Sequence, residues 1–73
     1  MPKLSPIGGK ELIKILGRVG FLPVRQSGSH IRLMHPDGRR TSIPVHSGDN
    51  VHQGLLKRIL KDVGLTPEQF LSI

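Results

Sequence analysis

The chain has 73 residues, no cysteine, four histidines, and eleven lysines and arginines against five acidic residues, a formal net charge of +6. At that length residues 1–73 read as one domain whose core must be built from leucine, isoleucine and valine, since neither disulfides nor a thiolate zinc site can staple it. No apolar run is long enough to span a bilayer and residues 1–7 lack the apolar segment of a secretory signal, so a soluble, cytoplasmic protein is expected.

Residues 1–7 carry Pro2 and Pro6 and read as an extended or frayed lead-in. A first helix follows, with Gly8 or Gly9 as N-cap and Leu12, Ile15, Leu16 and Val19 recurring on one face, Ile13 widening the stripe. Gly20 reads as its left-handed C-cap and Phe21 as the accompanying hydrophobic contact. Gly17 costs about 1 kcal/mol relative to alanine in a helix interior and reads as a tolerated surface glycine.

Three strands are expected next, over residues 21–26, 29–35 and 40–45, the first an edge or irregular strand because of Pro23. Ser27-Gly28 and Pro36-Asp37-Gly38 supply the turns between them, giving an antiparallel meander. Residues 46–50 read as a polar loop. The second helix is expected over residues 53–63, burying Leu56, Ile59, Leu60 and Val63, exposing Lys57, Arg58 and Lys61, and stopping at Gly64. Thr66, Pro67 and Gln69 then have the spacing of a capping box that starts a short terminal helix. The fold class is therefore α+β: an α-β-β-β-α order, a three-stranded antiparallel sheet with two helices on one face, and a short C-terminal helix.

Charge is concentrated on the expected sheet. Residues 18–40 hold five arginines against Asp37, a net of +4, whereas residues 49–73 balance to zero. A localised arginine surface attracts phosphates, and the guanidinium forks onto phosphate oxygens. With two phenylalanines and no tyrosine or tryptophan, stacking of bases on aromatic platforms is not the expected mode of nucleic-acid binding. Within the second strand, alternation places His30 and Arg32 on one face and Ile31 and Leu33 on the other. If the aliphatic pair meets the core, His30 and Arg32 face solvent or substrate.

Gly9-Lys10-Glu11-Leu12 opening a helix, Gly20-Phe21 ending it, Arg25-Gln26 leading to Gly28-Ser29-His30, His35-Pro36-Asp37-Gly38-Arg39-Arg40, Ile43-Pro44, His46 with Gly48, and the Leu56 to Leu60 segment together resemble the HicA toxins of toxin-antitoxin modules. The resemblance covers nearly the whole chain, with Gly8 and Gln53 standing where that family usually has serine and proline. It implies a fold like that of double-stranded-RNA-binding domains, ribonuclease activity on mRNA, neutralisation by a HicB-like antitoxin, and catalysis by the histidine of Gly-Ser-His, which is His30.

The chemistry supports that implication independently. RNA cleavage without a metal needs a 2′-hydroxyl deprotonated, a 5′-oxygen protonated and a phosphorane stabilised. A histidine, with an ordinary pKa of about 6.5, serves either proton role near neutrality. Arg32 is the first choice for the phosphate contact, followed by Arg25 and Ser29, with Arg39 and Arg40 completing the basic set. His35 is expected to pack or to brace its turn, and His52 to have no catalytic role. His46 is read as a loop residue, a second proton-transfer partner being the alternative. A four-histidine zinc site is disfavoured because His30 and His35 point to opposite strand faces, so no metal or cofactor is expected. The alternative function is a non-catalytic module that reads double-stranded RNA by shape; against it, residues 51–56 lack the lysine cluster such modules place at the start of their second helix.

Overall fold

A computed structural model describes residues 4–45 and 50–73. The elements run β1 (Ile7–Gly8), α1 (Gly9–Gly17), β2 (Leu22–Ser27), β3 (His30–Met34), β4 (Arg40–Pro44), β5 (Asn50–Val51), α2 (Gln53–Val63) and α3 (Pro67–Leu71). Strands β2, β3 and β4 form one antiparallel sheet in that order. The α+β architecture expected from the sequence is the one observed.

One face of the sheet is core and the other is open. Leu33 and Ile43 are fully buried and Thr41 nearly so, whereas His30, Arg32, Arg40 and Ser42 on the alternate positions are exposed. The core face is covered by Leu12 and Leu16 of α1 and by Leu56, Ile59, Leu60 and Val63 of α2, with Phe21, Val51, Leu4 and Phe70 closing the sides. In a domain this small each of these anchors matters, since truncating a buried leucine or isoleucine to alanine costs about 2–5 kcal/mol.

Both long helices end by the same device. Past α1, Gly20 takes φ 99° while its N–H donates to the Gly17 carbonyl and that of Phe21 to the Leu16 carbonyl. Past α2, Gly64 takes φ 74° while its N–H donates to the Lys61 carbonyl and that of Leu65 to the Leu60 carbonyl. Each pair satisfies two orphan carbonyls in a Schellman arrangement, which glycine permits because it has no Cβ. The regular part of α1 stops earlier than the apolar stripe suggests, so Val19 lies in the tightened last turn, still packed on the core. At α3 the capping box forms in full: the Thr66 hydroxyl accepts from the Gln69 N–H and the Gln69 side chain accepts from the Thr66 N–H.

One feature differs from expectation and a second is not foreseen by it. Ile7–Gly8 pairs antiparallel with Asn50–Val51, so the chain is tied down at Ile7 and Asn50 belongs to a strand rather than a loop. A two-residue ladder carries no periodicity by which a sequence could announce it. The second feature is the start of α2, where the N-cap position holds no Ser, Thr, Asp or Asn and the His52 ring acts as cap, its Nδ1 accepting from the Leu55 N–H at 3.2 Å.

Candidate nucleic-acid interface

The site is built by strand register. Ser27, His30 and Pro44 stand side by side across β2, β3 and β4; the next row holds Arg25, Arg32 and Ser42, and Met34 pairs with Arg40 beyond. Ser27 meets His30 because the hairpin between them has only two loop residues, Gly28 and Ser29. Gly28 takes φ 59° at the first central position, the pattern of a type II′ turn. His30 is thus fixed at the start of a central strand rather than on a loop. A register shift between Pro23 and Arg25 puts a bulge in β2, which absorbs Pro23 on the edge strand and re-aims Arg25 toward Arg32.

Two adjoining depressions share His30, Arg32 and Ser42. The smaller, about 200 Å³, adds Arg25 and Ser27. The larger, about 360 Å³, runs over the β4 edge to α2 and adds Arg40, Arg58 and Asp62 among its lining residues. The larger falls within the ~300–1,000 Å³ typical of ligand sites. Among the described residues, the side chains of His30, Arg25, Arg32, Arg40 and Arg58 have no hydrogen-bond or ion-pair partner, while Asp62 accepts from the Thr41 hydroxyl at 3.2 Å. A face of unpaired guanidinium groups around an imidazole can bind a phosphodiester and exchange protons with it.

The residues singled out from the sequence are not all brought together. His30, Arg25 and Arg32 converge, and Arg40 joins them through the larger groove. Ser29 lies in the hairpin turn, its carbonyl accepting from the Val45 N–H at 2.6 Å, and Ser27 occupies the position beside His30 instead. Arg39 sits elsewhere: it donates to Asp37 Oδ2 at 2.8 Å and to the Val63 carbonyl at the end of α2, and lies 5.2 Å from the centre of the Phe21 ring. It clasps the β3–β4 turn to α2.

That turn also accounts for His35. Its Nδ1 accepts from the Asp37 N–H at 3.1 Å and its ring packs on Phe21 with centroids 5.1 Å apart, the turn-bracing role expected of it. The same Nδ1 lies 3.0 Å from Asp37 Oδ1, a contact that becomes an ion pair only when the ring is protonated. The Asp37 carboxyl is held below its ordinary pKa, first by the hydrogen bond from the Arg39 N–H; desolvation opposes this as the next largest effect, and the Arg39 guanidinium and then His35 add smaller lowering contributions. His46, the alternative second proton-transfer residue, lies outside the described residues. No group of three or more His, Asp or Glu among the described residues could hold a metal ion.

The sheet with helices on one face and a basic open face defines a small protein with the fold of double-stranded-RNA-binding domains. The family model for the HicA toxin of bacterial toxin-antitoxin matches residues 9–65, and the chain belongs to that family. No curated protein matches it. No helix among the described residues is long and apolar enough to cross a membrane.

Proposed function

We propose that this protein is the ribonuclease toxin of its module, cutting mRNA by metal-independent acid–base catalysis at His30 and neutralised by a HicB-like antitoxin. The observation that carries the proposal is the row Ser27–His30–Pro44 lying directly against the row Arg25–Arg32–Ser42 on the open sheet face, with the imidazole and both guanidinium groups unpaired among the described residues. A scissile phosphate drawn to Arg32 and Arg25 has His30 beside it. The imidazole takes the proton of the 2′-hydroxyl, or gives one to the departing 5′-oxygen. The arginines offset the charge that grows on the phosphorane, with the Ser27 and Ser42 hydroxyls available to its oxygens. An inhibitory partner fits the same face by presenting carboxylates to these arginines and covering His30.

Attack by the 2′-hydroxyl fixes the products: a 2′,3′-cyclic phosphate or 3′-phosphate on one fragment and a 5′-hydroxyl on the other. End-group analysis of a cut oligonucleotide, beside a copy with 2′-O-methyl at the cut position, tests this. The methylated copy is expected to be bound and left intact. Cleavage of it, or products with 5′-phosphates, would exclude the 2′-hydroxyl as nucleophile. Binding of both copies with cutting of neither would favour the shape-reading module.

A further inference from the structure

The larger groove does not stop at His30. It passes over β4, one strand's width (~4.8 Å) from β3, and continues onto α2, where Leu55, Arg58, Ile59 and Asp62 line it at helical spacings of three, four and seven. Arg58 and Asp62 are four residues apart on this flank, yet Arg58 makes no ion pair among the described residues, and the Asp62 carboxylate is held by Thr41. The groove therefore offers Arg40 and Arg58 as open cations on two different elements, with the Asp62 carboxylate also in its lining. Because the same groove also reaches His30 and Arg32, a phosphate held by Arg40 and Arg58 suits the same strand as a phosphate held at Arg32 better than it suits a lone anion.

Resting on the assignment of His30 to RNA cleavage, we infer that the groove between β4 and α2 is a second phosphate subsite, in which Arg58 with Arg40 positions the RNA phosphate neighbouring the one being cut. Arg58 is a positioning residue, touching the substrate away from the reacting atoms. It sets where the strand lies across β4 and so which phosphate reaches His30. What faces Asp62 in this subsite is a hydrogen-bond donor of the RNA, a ribose hydroxyl or a base amine.

The full chain and its Arg58→Ala, Arg58→Lys and Lys57→Ala variants are to be compared on two probes. The first is a 2′-O-methyl oligoribonucleotide titrated at several salt concentrations. Arg58→Ala is expected to bind on the order of tenfold more weakly and to lose about 0.7 from the slope of log K against log salt, one single-strand phosphate contact. Arg58→Lys should keep the slope, and Lys57→Ala, exposed on the same helix but outside the groove, should match the unsubstituted protein. The second probe is cleavage: Arg58→Ala should raise KM on an oligonucleotide with kcat unchanged, and leave cutting of a dinucleotide, which has only the scissile phosphate, as it was. An Arg58→Ala protein that melts normally and keeps the full salt slope and KM would overturn the subsite. A lowered slope in a protein that cuts nothing would uphold the subsite and remove the catalytic reading instead.

Discussion

Arg25 and Arg32 stand directly opposite each other on neighbouring strands, two like charges on one sheet face with no acidic partner between them among the described residues. Like charges directly opposite one another disfavour the sheet. A fold selected only for stability would place a β-branched or acidic residue at one of the two positions. Replacing Arg25 with threonine should therefore raise the melting temperature while weakening RNA binding. Thermal melts and a binding titration on the same preparation decide it; a lower melting temperature would mean that the arginine pair stabilises the sheet.

Two glycines of α1 are expected to respond in opposite directions. Gly17 has open space where a Cβ would be and no positive φ, so Gly17→Ala should stabilise the protein by about 0.4–1 kcal/mol. Gly9 is buried against the carbonyl of Pro44, and a Cβ there would run into that oxygen and into the Val45 side chain. Gly9→Ala should destabilise and, because Pro44 is paired with His30, should disturb the site as well. Denaturant midpoints of the two variants test this; a shift of the same sign in both would contradict the close approach of α1 to β4.

Acid stability should report on the β3–β4 turn. Asp37 has a lowered pKa in the folded protein, so its contribution is complete above the ordinary carboxylate value of about 3.9 and is lost as pH falls through the lower folded value. Asp37→Asn should be less stable than the unsubstituted protein at neutral pH, with the gap closing in strong acid. Melting temperatures from pH 7 down to 2 measure it, and a gap independent of pH would assign the effect to turn geometry alone. Cleavage should be unaffected, since Asp37 lies at the other end of β3 from His30.

The parts of this fold that were legible in the sequence are those written in periodicity and turn chemistry. Residues 53–63 form α2 with the stripe Leu56, Ile59, Leu60, Val63 buried as expected, and strand alternation places His30 and Arg32 on the open face. Ser27 was missed because its meeting with His30 depends on the length of the hairpin loop, a register rather than a pattern. Arg58 and Asp62 were missed because a helix flank beside the buried stripe looks solvated until the sheet edge beneath it is known. The spacing Leu55, Arg58, Ile59, Asp62 was the available signal. Arg39 illustrates the converse: adjacent to Arg40 and indistinguishable from it by charge, it is committed to Asp37, the Val63 carbonyl and Phe21 by the geometry of a turn.

Proton transfer by His30 in RNA cleavage is open to direct test by incubating a defined RNA with purified His30→Ala protein in EDTA. The His30 side chain is exposed and makes no hydrogen bond among the described residues, so the variant should melt like the unsubstituted protein and bind RNA with similar affinity. Its cleavage rate should fall by ~10²- to 10⁴-fold, the usual contribution of a general acid or base. A folded His30→Ala protein that cuts at the unsubstituted rate, or an unsubstituted protein that cuts only when a divalent metal is supplied, would remove His30 from the proton-transfer role.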